Sequence, residues 1–192
     1  MSVPTGSVAG LLLAAGAGRR YGQPKALVEL DGERLVDRAL ATLREAGCAP
    51  LMVVLGAGAA EVLATPGLDG ATVVVNDGWD TGMGSSLRAG LAALEPTTST
   101  AVIIMLVDTP GITAAAVRRV IRSAGPDALA TATYHGEPGH PVLLGRAHWA
   151  GVAAYALGDV GARSYLSAHA DRVTRIPCED IADGRDMDEP VA

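Results

Sequence analysis

Aromatic side chains make up only 3% of these 192 residues, and phenylalanine is missing altogether. The core must therefore be filled by Ala, Val, Leu and Ile, the usual packing of helices on a parallel sheet. Cysteine is nearly absent as well. Cys48 and Cys178 stand alone, fit no metal or redox spacing, and read as two reduced thiols rather than a disulfide framework. The net charge is −6 with no acidic or basic block, so the basic stripe of a nucleic-acid or anionic-membrane binder is lacking. No apolar run approaches the ~20 residues that span a bilayer. Val8 to Ala17 could pass for a signal-peptide core, but no Lys or Arg precedes it, and Arg19 and Arg20 follow it. That reverses the charge order of a secretion signal. The expectation is a cytoplasmic protein with neither a nucleic-acid nor a membrane partner.

Hydrophobic residues account for 49% of the chain, enough for one well-buried core, and a single domain over 1–192 is expected. Short runs rich in Val, Leu or Ala predict buried strands at Val8–Leu13, Leu51–Leu55, Thr72–Val75, Ala101–Val107 and Ala128–Thr133. Between them, Leu35, Ala39, Leu40, Leu43 and Ala46 recur at helical spacing, with Arg38, Arg44 and Glu45 expected to face water. Leu87, Leu91 and Leu94 repeat the pattern. Thr113 is a candidate N-cap for a helix that buries Val117, Val120 and Ile121. Alternation of this kind predicts an α/β fold, a mostly parallel sheet with helices on both faces. Strand ends then share one edge, where ligands bind. Tyr134 to Val142 has turn chemistry at its centre and reads as a hairpin or a lid loop. Ala147–Tyr155 and Val160–His169 read as helices, and Val173–Ile176 as a late strand.

Three segments carry chemistry. The first strand runs into Leu13-Ala-Ala-Gly-Ala-Gly-Arg-Arg-Tyr-Gly-Gln-Pro-Lys25. Small residues such as Gly16 and Gly18 let backbone N–H groups approach phosphate oxygens, and Arg20 and Lys25 add full positive charge. A Walker A loop would need Lys after Gly22, where Gln23 stands; a dinucleotide fingerprint would need Gly in place of Tyr21. Both fail. The second segment is Asp108, directly after an apolar strand. A carboxylate at that mouth suits Mg²⁺ beside phosphates, or it opens the Asp108-Thr-Pro-Gly turn. Third is Asn76 to Leu87, polar and Gly-rich. Here Ser85 and Ser86 either present hydroxyls and backbone N–H groups to a nucleobase or cap the following helix, and Asn76 and Gly82 of the same segment are candidate nucleotide-binding residues.

With these segments together, the chain resembles the MobA-like NTP transferases, and within them the molybdenum cofactor cytidylyltransferase branch. The resemblance runs from Val8 to Asp188. It rests on Leu13 to Lys25, Asn76 to Leu87, Asp108-Thr-Pro110, Gly139-His-Pro-Val142 and Gly158-Asp-Val-Gly-Ala-Arg163. It implies a Rossmann-like, three-layer nucleotidyltransferase fold. Residues 1–110 would form the NTP-binding half and 111–192 the acceptor-binding half. The backbone at Leu13, Ala14 and Ala15 would contact the base, Arg20 and Lys25 the triphosphate, and Asp108 a magnesium ion. Asp188, in Asp186-Met-Asp188-Glu-Pro190, would be a second metal ligand; Glu189 stands where the family usually has Thr. Gly139 and His140 would lie over the acceptor, His140 either touching it or only shaping the turn, whereas His135, His148 and His169 read as surface or packing residues.

The implied reaction transfers a nucleoside monophosphate from an NTP to a phosphorylated acceptor and releases pyrophosphate. Molybdopterin is the implied acceptor, with a molybdoenzyme as a further partner. Guanylyl members more often have Ala-Gly-Gly where this chain has Ala14-Ala15-Gly16, which favours CTP. The alternatives are a guanylyltransferase, a sugar-phosphate nucleotidyltransferase, a nicotinamide-dependent oxidoreductase, and a cofactor-binding chaperone that has lost its chemistry.

Overall fold

The computed structural model describes residues 7–18 and 20–187. In chain order, the elements are β1 Val8–Ala14, β2 Glu29–Leu30, β3 Glu33–Arg34, α1 Leu35–Glu45, β4 Leu51–Leu55, α2 Ala59–Ala64, β5 Ala71–Val75 and α3 Met83–Leu94. There follow β6 Ala101–Leu106, α4 Ala114–Ile121, β7 Leu129–Tyr134, β8 Glu137–Gly145, α5 Trp149–Tyr155, α6 Arg163–Ala168 and β9 Thr174–Pro177. Seven strands form one sheet in the order β5-β4-β1-β6-β8-β7-β9, and β2 pairs with β3 apart from it. All neighbours in the large sheet are parallel except those of β8, which runs antiparallel to both β6 and β7. This is the expected three-layer, Rossmann-like α/β arrangement.

Side chains alternate across β1. Leu12 and Ala14 join the side chains of α1 and α4 on one face, while Ala9, Leu11 and Leu13 meet those of α3 and α5 on the other. Both faces are therefore dry, which is why the central strands read as continuous apolar runs rather than alternating ones. Gly90 of α3 lets that helix sit directly on β1: a Cβ there would fall 2.5 Å from Leu11 Cδ1.

The predicted strands recur within a residue of their expected ends, but β5, expected to be buried, is an edge strand and only partly covered, with Val75 exposed. Thr113 caps α4 as anticipated, its hydroxyl accepting from Ala116 N at 3.2 Å. Arg38 departs from the reading: it is half-buried and donates to Leu30 O at 3.2 Å rather than facing water. The segment after Thr133 is a hairpin. Tyr134 pairs with Glu137 across His135 (φ 53°) and Gly136 (φ 86°), two consecutive left-handed residues that match the twist of a two-residue turn.

One irregularity in this hairpin reaches the ligand edge. Thr131 pairs with Val142, but Ala132 pairs with Gly139, so His140 and Pro141 are extra residues bulged out of β8. Thr131 Oγ1 holds Gly139 O at 2.7 Å and the Tyr134 hydroxyl holds His140 O at 2.8 Å, which fixes the bulge.

Candidate functional site

The C-terminal ends of β1 and β6 lie side by side, with Leu13 paired to Leu106. The loops leaving them must therefore meet. They enclose a cavity of about 560 Å³ lined by Leu13, Ala15, Gly16, Ala17, Gly18 and Lys25 from the first loop. Leu106, Val107 and Asp108 come from the second, and Trp79, Asp80, Gly82, Met83 and Ser86 from the segment opening α3. Asp159 completes the wall.

Lys25 and Asp108, far apart in sequence, form an ion pair here, Nζ to Oδ2 at 2.7 Å. Their side chains are 18% and 20% exposed, so the pair is shielded but within reach of a ligand. The loop carrying Lys25 folds back on itself, with Tyr21 N donating to Gly18 O at 2.8 Å. Gly18 is left-handed (φ 56°), and a side chain there would run into the backbone at Gln23 and Lys25. Gly16 is different: a Cβ would meet nothing within 4 Å, so packing does not require glycine there. A small residue on the cavity wall leaves that space to a ligand.

The other sequence-predicted residues divide by role. Asn76 donates to Ser85 Oγ at 2.8 Å and to Ser86 Oγ at 3.0 Å. The single hydroxyl proton of Ser85 is shared between the carbonyls of Gly78 and Gly82, at 2.9 and 2.8 Å, so this hydroxyl is spent on the loop. Ser86 is buried but lines the cavity. Ala14 is 1% exposed with its methyl in the core, so only its backbone could serve a ligand. Arg20 lies on the exposed turn of the first loop, outside the lining residues.

Gly139 lines a second cavity of about 520 Å³ between the β7–β8 turn and residues 179–185. His140 lines neither cavity. It sits in the bulge, just beyond the last residue of β8 that pairs with β6, Val142 with Ile104. Burial pushes its imidazole down to about 4, and the charge of Asp108 opposes that shift. The ring is therefore neutral at physiological pH and near the Asp108 carboxylate. His135 is exposed at the turn, while His148 is buried against the Tyr165 hydroxyl (2.8 Å) and His169 stacks on the same ring at 4.1 Å.

After β9 the chain returns to the site. Arg119 grips Asp180 with two bonds of 2.6 and 2.8 Å, Asp183 N donates to Gly111 O at 3.1 Å, and Met187 N donates to Asp108 O at 2.7 Å. The described chain thus ends against the Asp108 loop. Asp188, the expected second metal ligand, lies outside the described residues.

Among the described residues, no group of three His, Cys, Asp or Glu could hold a metal on its own. The donor set nevertheless fits a magnesium ion. That ion is commonly held by one or two carboxylates, with phosphate oxygens and water completing the shell, and Asp108 offers such a carboxylate in a cavity large enough for a nucleotide.

Sequence reasoning assigned no individual role to Trp79, Asp80 or Met83, although the Asn76-to-Leu87 segment contains them, nor to Asp159, which sits in the Gly158-to-Arg163 motif. Its position comes from close backbone packing. Gly84 N donates to Gly158 O at 2.8 Å, and a Cβ on Gly84 would fall 2.5 Å from Ala156 O.

The model of the MobA-like NTP transferase domain matches residues 10–173. The chain belongs to the MobA-like NTP transferase family. A curated relative of this MobA-like chain, the nicotine blue oxidoreductase of Paenarthrobacter nicotinovorans, is 39% identical over 189 residues, 94% of this chain and 92% of the relative. The crystal structure of a Mycobacterium tuberculosis Rv0371c homolog from Mycobacterium sp. strain JC1 has a TM-score of 0.82 and 34% identity, covering 95% of this chain and 90% of that one. Rv0371c of M. tuberculosis in complex with manganese has a TM-score of 0.73 and 29% identity, covering 89% of this chain and 88% of that one.

Proposed function

We propose that this MobA-like domain transfers a nucleoside monophosphate from an NTP, with CTP preferred, to a phosphorylated acceptor of the molybdopterin class. The observation that carries the reading is the Lys25–Asp108 pair at 2.7 Å, in a cavity ringed by small residues at the strand ends. A cation and an anion so placed neutralise each other and offer complementary charges to a triphosphate and its counter-ion. Lys25 would bind phosphate oxygens, Arg20 would reach them from the adjoining turn, and Asp108 would hold a divalent ion. The manganese complex of Rv0371c supports a divalent metal in this family. Bound there, Mg²⁺ supplies charge neutralisation on the triphosphate.

The chain's own residues orient the reaction. Backbone groups from Leu13 to Gly18 and the Asn76–Gly82–Ser86 segment hold the nucleotide, with residues 1–110 as the NTP-binding half. Gly139 and neutral His140 belong to the half, 111–192, that receives the acceptor. The acceptor phosphate is already an anion, so attack on the α-phosphorus needs no strong general base. Catalysis comes from positioning and from preorganised positive charge.

A second reading has one observation in its favour: the full-length relative at 39% identity is named an oxidoreductase. The two readings separate in one experiment. The protein is incubated with each of the four NTPs, Mg²⁺ and molybdopterin, and pyrophosphate release is followed. In parallel, oxidation of reduced nicotinamide nucleotides by dye acceptors is monitored. Pyrophosphate release that depends on acceptor and metal supports transfer; nicotinamide oxidation without pyrophosphate supports the alternative.

A further inference from the structure

Among the described residues lining the 560 Å³ cavity, Lys25 is the one cation and Trp79 the one aromatic. Lys25 shares its side with Asp108 and the small residues of the first loop, while Trp79 and Met83 contribute large apolar surface flanked by Asp80 and Asp159. Trp79 is half-buried in a chain with only two Trp, four Tyr and no Phe. Its place is set by the absence of a side chain on the neighbouring strand end. A Cβ on Gly56 would fall 2.5 Å from Trp79 Cβ, 2.7 Å from its Cγ and 2.9 Å from Ala15 Cβ. The indole root is thus wedged between β4's exit and the first loop, and a short 3₁₀ turn over Trp79–Thr81 fixes its backbone.

We propose that Trp79 is the stacking wall for the nucleobase and that Gly56 is the residue that seats it. The inference rests on the nucleotide reading above and deepens it. A nucleotide has an anionic end, which suits the cation, and a flat aromatic end, which suits the indole. The phosphates go to Lys25, which leaves the base to the Trp79 wall beside Ala15. Stacking is sequence-tolerant because every base has a π-face, so Trp79 supplies affinity and not base choice.

The test uses intrinsic fluorescence and calorimetry on the intact chain. Trp149, the other indole, is 1% exposed with its N–H on Leu144 O at 3.1 Å, so a ligand-dependent change in emission reports on Trp79. CTP is expected to quench the emission of the wild type, and inorganic triphosphate, which has no base, to leave it unchanged. Trp79→Ala is expected to weaken CTP binding about tenfold while leaving triphosphate binding as it was. Trp79→Phe restores most of the loss, and Gly56→Ala, which displaces the indole, reproduces it. A purely structural role would lower CTP and triphosphate affinity together and would overturn the proposal. Unchanged CTP affinity in Trp79→Ala also overturns it and leaves the nucleotide reading standing. A wild type that binds none of the four NTPs by calorimetry overturns both.

Discussion

Replacing Asp108 by Asn keeps the size and one hydrogen-bonding oxygen but removes the charge. The new carbonyl oxygen can still accept from Lys25 Nζ, now 2.7 Å from Oδ2, so the local fold is expected to hold. The ion pair itself is lost. Because its partners are 18% and 20% exposed, it is partly screened, and the loss is expected to cost about 1 kcal/mol. In a chain of this size that lowers the melting temperature by about 2–4 °C. Catalysis should suffer far more. A carboxylate that holds a metal stabilises transition-state charge by several kcal/mol, and each ~1.4 kcal/mol is tenfold in rate. Turnover should therefore fall about a hundredfold or more. The assay is pyrophosphate release at saturating Mg²⁺, with thermal denaturation as the control for folding. A folded variant within about fivefold of the wild-type rate would refute the reasoning, because no metal ligand is dispensable to that degree.

Lys25→Ala and Arg20→Ala should each weaken NTP binding, by about tenfold or more, since a charge-assisted bond is worth roughly 1.5–3 kcal/mol; calorimetry with CTP measures the shift. Ala15→Gly should move the kcat/KM ratio for CTP over GTP toward GTP, because the Ala15 methyl is 7% exposed at the cavity wall and held beside Gly56. Gly84→Val should destabilise the fold by about 1–3 kcal/mol in denaturant titrations and displace Asp159, since its Cβ would fall 2.5 Å from Ala156 O. His140 makes stability pH-dependent. Its folded value of about 4 lies below the ordinary 6.5, so between those two the unfolded chain takes up a proton that the folded chain refuses. Stability should fall as pH drops through that window, and His140→Asn should flatten the fall, as read from denaturation midpoints at pH 7 and pH 5.

The sheet was legible because its central strands, β1, β4 and β6, are buried on both faces. Runs such as Ala101 to Leu106 carry their burial in composition alone, and no tertiary knowledge is needed to find them. Short elements carry no such signal. β2 and β3 have two residues each, and α2, six residues long, buries only Val62, so it has no apolar face to repeat. The meeting of Lys25 with Asp108 was also legible, since adjacent strand ends bring their loops together whatever the details. Trp79 and Asp159 were not. Their positions depend on where Gly56, Gly82 and Gly84 permit backbone to approach backbone, and a glycine in sequence does not say what it makes room for. Ser85 shows the converse: a polar residue in a motif whose hydroxyl is used up within its own loop.

Transfer of label tests the central claim most directly. CTP labelled at the α-phosphorus is incubated with the protein, Mg²⁺ and molybdopterin, and the products are separated. The account predicts that label moves onto the acceptor in step with pyrophosphate release, and that Asp108→Asn slows both about a hundredfold or more. Label that stays on CTP or CMP while the protein oxidises reduced nicotinamide nucleotides would contradict it.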